Sequence, residues 1–188
     1  AWEEVRALLR RRRGLLDGVV LTGGEALRQD ALADAAREVI DMGFQVGLHT
    51  AGPYPRRLWD MIASGLVDWV GLDIKALPEH YGQVVGRANA AAKAWESLEV
   101  LVEAVGRGGP EFEVRTTVVP GDVTADDAVE VARRVHAAGA RVYALQQARS
   151  EGTSGEFDVV APGWDGTCER MAERIEALGW DRFNYRPA

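Results

Sequence analysis

The chain has 188 residues, 47% hydrophobic and 27% charged, with a formal net charge of -7. That length suits one domain with a sizeable core. The acidic balance excludes a nucleic-acid binder, which needs a basic face, and no apolar run approaches the ~20 residues that span a bilayer. The single cysteine, Cys168, cannot build a disulfide framework or an all-cysteine metal site. It points to a reducing compartment, the cytoplasm, and to a small buried side chain.

The chain begins Ala1-Trp2-Glu3, and Trp2, Val5, Leu8 and Leu9 already make the apolar face of a helix. A chain that opens inside an organised helix reads as part of something longer. Arg10-Arg11-Arg12-Arg13, the one basic cluster, closes that helix as a solvated face at the negative end of its dipole. Strand-like runs follow at Gly18–Thr22, Gln45–Thr50, Asp68–Lys75, Glu111–Val118 and Arg141–Gln146. Helical patterns lie between and after them at 29–42, 54–64, 90–106, 124–138 and 165–178. Pro53 and Pro55 fit the start of the helix carrying Leu58, Trp59 and Ile62. Thr124 can cap the helix opening Ala125-Asp126-Asp127, and Gly43, Gly106 and Gly139 sit where helices should stop. The alanine-rich run 88–94 reads as a helix start. Without repeats, low-complexity tracts or linkers, residues 1–188 read as a single domain.

Strands alternating with helices imply βαβ units and a parallel sheet. Polarity decides between an open doubly wound sheet and a barrel. In Val70–Lys75 the period of two places Gly71, Asp73 and Lys75 opposite Val70, Leu72 and Ile74. In Glu111–Val118 it places Glu113, Arg115 and Thr117 opposite Phe112, Val114 and Val118. Strands between two helix layers should be apolar on both faces. One polar face suits strands that line a lumen, so a barrel or partial barrel is expected, with its site at the C-terminal strand ends.

Those ends carry the candidate chemistry. Thr22-Gly23-Gly24-Glu25 lacks the lysine of a phosphate loop, and its carboxylate would repel phosphate. It suits a small cation such as an α-ammonium, or else a tight turn with Glu25 at a helix N-terminus. Asp73 and Lys75 could divide a polar ligand, accepting from hydroxyls and donating to a carboxylate, or form a plain ion pair. In Leu48-His49-Thr50-Ala51-Gly52, Thr50 could bond a ligand and His49 could be a base or be satisfied by backbone. Arg115 and the Gln146-Gln147-Ala148-Arg149 end are large polar groups that need partners, which a shared ligand would supply. His80 and His136 complete no pair with metal-ligand spacing.

Taken in order, these segments resemble the radical S-adenosylmethionine enzymes, most of all the activating proteins of glycyl-radical enzymes such as anaerobic ribonucleoside-triphosphate reductase and pyruvate formate-lyase. The carriers are Gly23-Gly24-Glu25, Leu48–Gly52, Val70–Ala76, Tyr81 with Gly86, Glu113–Pro120 and Gln146–Arg149. The resemblance implies that Gly23, Gly24 and Glu25 hold the amino group of S-adenosylmethionine, and that Asp73 and Lys75 meet its ribose and carboxylate. Thr50, Arg115, Gln146 and Arg149 would complete the pocket. It further implies an incomplete (β/α)6 barrel, here without its first strand and cluster loop. Two departures stand out. Ala26 replaces the proline of Gly-Gly-Glu-Pro, and the C-x3-C-x2-C loop that binds a [4Fe–4S] cluster is absent.

The leading expectation is therefore the body of a radical enzyme. In the intact parent, a reduced cluster would cleave S-adenosylmethionine to a 5′-deoxyadenosyl radical that abstracts hydrogen from a glycine of a partner enzyme. This chain alone would not turn over, and it would leave an apolar edge exposed where the first strand belongs. The alternatives are a cluster-free barrel acting as a binding module and an ordinary barrel enzyme using Asp73 or His49 as its base.

Overall fold

A computed structural model of the chain describes residues 2–87, 89–149 and 161–188. Helix α1 (Trp2–Arg12) leads into β1 (Gly18–Leu21), a 3-10 turn (Ala26–Arg28) and α2 (Leu32–Asp41). Then come β2 (Gln45–Thr50), α3 (Pro55–Ala63), β3 (Trp69–Asp73), α4 (Tyr81–Val85) and α5 (Ala90–Val105). The chain finishes with β4 (Glu111–Val118), α6 (Val123–Ala137), β5 (Val142–Gln147), α7 (Trp164–Glu176) and β6 (Arg182–Arg186). The six strands are all parallel and lie in the order β1-β2-β3-β4-β5-β6. A doubly wound sheet reverses its order at a switch point. A sheet that never reverses has the sense of a barrel wall, here open between β1 and β6.

Burial follows the two-residue period. Val46, Leu48, Val70, Leu72, Val114, Tyr143 and Leu145 are fully buried on the face that meets the helices. Leu58, Ala94, Leu98, Leu101, Val131, Val135 and Ile175 are fully buried on the helical side. Each large aliphatic side chain removed from water contributes ~1.5–3 kcal/mol. The opposite face carries His49, Asp73, Glu113, Arg115, Gln146, Asn184 and Arg186, whose mutual contacts are described below. The sheet is therefore single-layered on helices, with a polar lumen, as the alternation in β3 and β4 required.

Several boundaries differ from the sequence expectation. Strand β6 is additional: Arg182-Phe183-Asn184-Tyr185-Arg186 alternates polar and aromatic residues and pairs with β5 from Val142↔Arg182 onward. Helix α6 is capped by Asp122, whose carboxylate accepts from Thr124 N, while Thr124 Oγ1 accepts from Val119 N. The expected helix at 29–42 begins only at Leu32, and a 3-10 turn over Ala26–Arg28 precedes it. Ala88, the first residue of the alanine-rich run, lies outside the described residues, and α5 begins at Ala90. Leu15 and Leu16, just before edge strand β1, are 71% and 45% exposed, and Val20 within it is 46% exposed on the face it shares with Gly47. Among the described residues, no helix is long and apolar enough to cross a membrane.

The loop after β2 is fixed by close packing. Gly52 has φ +72°, and a Cβ there would stand 3.0 Å from both Leu72 Cδ1 and Ser97 Cβ. The buried Ser97 hydroxyl donates to Gly52 O at 2.9 Å, tying the loop to α5. Gly52→Ala combines left-handed strain with overpacking and should cost about 2 kcal/mol or more, read from urea unfolding.

Candidate functional site

The site is assembled where β1 to β5 end. Behind β1, Gly23 and Gly24 adopt φ of +106° and +56° and turn the chain so that Glu25 points at the end of β2. Glu25 Oε1 accepts from Leu27 N at 3.1 Å and from Thr50 Oγ1 at 2.8 Å, and Oε2 accepts from Ala51 N at 3.1 Å. A carboxylate offers about four acceptor positions, so one remains for a further donor. Glu25 is thus both the cap of the 3-10 turn and an anchored negative charge at the mouth. Thr50 is buried, and its hydroxyl also accepts from Gly52 N at 2.9 Å. It braces Glu25 instead of facing outward.

On the lumenal face, β4 supplies a buried guanidinium. Arg115 Nε donates to Asp73 Oδ1 at 2.8 Å, one Nη donates to His49 Nε2 at 2.9 Å, and the other approaches Gly71 O at 3.4 Å. Asp73 therefore pairs with Arg115, not with Lys75. Lys75 is exposed just beyond β3 and lines a cavity of about 400 Å³ with Asp73, Gln83, Arg115, Thr117 and Asp122. The loop that follows Lys75 is held from α6: the buried Asp127 carboxylate accepts from Leu77 N at 2.9 Å and contacts His80 Nδ1 at 2.9 Å.

A second lumenal pair was hidden from the sequence because it depends on β6. Arg186 donates to both oxygens of the buried Glu113, at 2.8 and 2.9 Å, and Asn184 Nδ2 donates to the same carboxylate at 3.2 Å. Arg186 also donates to Gln146 Oε1 at 2.8 Å, and Gln146 Nε2 donates to Thr117 Oγ1 at 3.1 Å. Gln146 is thereby engaged within the chain, while Arg149 stands exposed after β5. Asp73, Arg115, Glu113 and Arg186 form two neighbouring ion pairs of alternating sign, with His49 beside the first.

Other groups serve the core. Cys168 is fully buried in α7, and burial pushes its thiol up to about 11. The Tyr143 phenol, stacked on Trp180, donates to Thr116 Oγ1 at 2.6 Å. A larger cavity of about 780 Å³ opens at the opposite end of the strands, lined by Gly18, Gln45, Gly47, Trp69 and Glu111 among others. Its lining carries no cationic side chain. The paired acids and bases lie at the C-terminal strand ends, where barrel chemistry is found.

Fold and mouth together define a class: an all-parallel, sequentially ordered, open β/α barrel with charged side chains converging at the strand ends. The chain belongs to the radical SAM superfamily, whose family model matches residues 1–135. A Methanocaldococcus jannaschii protein provisionally named a glycyl-radical enzyme activating enzyme is 28% identical over 132 residues, covering 70% of this chain and 54% of that protein. The chain thus spans about half the length of this curated relative. Among solved structures, SuiB of Streptococcus suis bound to its precursor peptide SuiA superposes with a TM-score of 0.70 at 8% identity, over 97% of this chain and 41% of SuiB. TYW1 with a lysine-pyruvate adduct bound gives 0.66 at 14%, over 94% and 61%. At such identities the likeness is one of fold, and it agrees with the partial barrel expected from the strand polarity.

Among the described residues, the Thr50 hydroxyl is the one side-chain group that bridges Glu25 to the β2 loop. Thr50→Val keeps the shape and removes that donor, leaving a half-buried carboxylate short of a partner. It should lower stability by about 1–3 kcal/mol in a thermal or urea melt.

Proposed function

We propose that this chain is the S-adenosylmethionine-binding body of a radical enzyme that activates a glycyl-radical partner, and that it serves this role as one domain over residues 1–188. The observation that carries the reading is the Glu25 carboxylate, anchored by three donors behind two glycines and left with one acceptor position. That donor set fits an ammonium group, which brings both a positive charge and hydrogen atoms. Asp73, oriented by Arg115, suits ribose hydroxyls, and the exposed Lys75 suits a carboxylate. Gly23 and Gly24 give the ligand room to approach, Thr50 and Gln146 hold the mouth in shape, and Arg149 adds positive charge at its rim.

The residues present do not fit an iron–sulfur cluster. The chain has a single cysteine, which is fully buried, and among the described residues no group of three or more His, Cys, Asp or Glu could hold a metal ion. In this family S-adenosylmethionine, reduced at such a cluster, supplies an adenosyl radical. What this chain's own residues do is bind the molecule, orient it and shield it on the lumenal side. The glycyl-radical partner is suggested by the name of the M. jannaschii relative. A cytoplasmic setting is in keeping with the lone reduced cysteine.

A second reading, a cluster-free barrel used as a binding module, is favoured by that same mismatch with a cluster. The apolar β1 edge separates the two. On the first reading the isolated chain self-associates in size-exclusion chromatography, because Leu15, Leu16 and Val20 lack cover. A monodisperse monomer supports the second.

Calorimetric titration with S-adenosylmethionine tests the pocket. Lys75→Ala and Asp73→Asn should each weaken binding by about tenfold or more, the worth of a charged hydrogen bond. Lys75→Ala, at an exposed position, should leave the melting temperature unchanged, whereas Asp73→Asn takes the counter-charge from the buried Arg115 and should also lower it. Unchanged affinity in both variants would refute the assignment. After anaerobic reconstitution the chain should hold no stoichiometric iron and cleave no S-adenosylmethionine; iron with cleavage activity would refute the reading of this chain as a cluster-less body.

A further inference from the structure

An arginine side chain only donates hydrogen bonds. The 2.9 Å contact between the Arg115 guanidinium and His49 Nε2 therefore requires an unprotonated Nε2, with the ring hydrogen on Nδ1. His49 is half-buried, and its ring meets Trp69 edge-on at 5.6 Å between centroids. Gly71 completes the seat. A Cβ at that position would lie 2.9 Å from Arg115 Cζ and 2.8 Å from the Trp69 ring, so only glycine leaves the guanidinium its place against the sheet. Arg115 thus spans three strands: it is rooted in β4, paired with Asp73 of β3 and held from β2 by one neutral imidazole.

We propose that His49 is a positioning residue: by accepting from Arg115 it fixes the guanidinium, and through it the Asp73 carboxylate at the mouth, and its protonation releases both. A protonated ring has no acceptor to offer and sets a second cation against Arg115. The role of Asp73 toward a ligand rests on the function proposed above; the latch itself rests only on the geometry of the free chain.

The surroundings favour the neutral ring. Burial, the largest influence, and the nearby Arg115 lower the His49 pKa below its usual 6.5, with Arg186 of β6 adding to this. Asp73 of β3 and Glu113 of β4 pull the other way without reversing the direction. The latch is accordingly closed at neutral pH and opens as pH falls through the lowered value. The unfolded chain takes up a proton below about 6.5 that the folded chain resists, so stability should also decline as pH drops from there.

The test is nitrogen-15 and carbon-13 NMR of the ligand-free chain, following the His49 ring, the Arg115 side chain and the Asp73 carboxylate carbon through a pH titration. The expected result is a neutral ring carrying its hydrogen on Nδ1 at pH 7, with ordered Arg115 signals that are lost in step with His49 protonation and an Asp73 carboxylate shift that follows. In His49→Gln, whose amide oxygen can accept, Arg115 should stay ordered across the same range; in His49→Ala it should be disordered throughout. A hydrogen on Nε2 at pH 7, or Arg115 signals indifferent to His49 protonation, would overturn the proposal. S-adenosylmethionine affinity measured in parallel should fall about tenfold as wild type crosses the His49 transition and stay flat in His49→Gln. An intact latch in a chain that binds no S-adenosylmethionine at any pH would support the latch and refute the ligand reading.

Discussion

The arrangement of the mouth depends on one buried cation. Arg115 lies on the lumenal face with 8% of its side chain exposed and joins β4 to the ends of β3 and β2. A buried guanidinium without partners would cost several kcal/mol, so the strands around it must deliver acceptors at the right register. They do: Asp73 lies directly across from Arg115, and Gly71 is in register with His49. Glu113, two residues earlier on the same face, imposes a matching demand that Arg186 and Asn184 of β6 satisfy. Lumenal polarity thus fixes the relative registers of β2, β3, β4 and β6, while the apolar face fixes their packing on the helices.

Glu25 is the counterpart on the other side of the mouth. Its carboxylate is held by one side-chain and two backbone donors from the 3-10 turn and the end of β2. Anchored in this way, it presents a fixed negative charge at the end of β2, the strand next to β3, whose end carries Asp73 and Lys75, one of each sign. A zwitterionic ligand with an ammonium, a carboxylate and hydroxyls matches that distribution of charge.

Much of this was legible in the sequence, and for identifiable reasons. The alternation in Val70–Lys75 and Glu111–Val118, broken on the helix-facing side by Thr116 alone, arises because one face meets helices and the other a lumen, so both the parallel sheet and its polar side could be read. The chemistry-bearing strand ends were legible too, since Gly-Gly-Glu and Asp-x-Lys are compact local signals. The partners were not. That Arg115 meets His49 and Asp73, or that Thr50 supports Glu25, depends on register between strands 20 to 70 residues apart in the chain, which no local pattern encodes. Strand β6 was missed because its five residues carry only Phe183 and Tyr185 as apolar, helix-facing signals. The polar alternate positions, Asn184 and Arg186, acquire meaning only once Glu113 is seen beside them.

On the proposed function, the strand-end mouth, and not the larger cavity at the opposite end of the barrel, receives S-adenosylmethionine. Backbone amide NMR during a titration with S-adenosylmethionine measures this directly. Shifts are expected at Gly24, Glu25, Ala51, Ile74 and Lys75, with Gln45, Trp69 and Glu111 silent. No shifts at saturating ligand, or shifts confined to the opposite cavity, would contradict it.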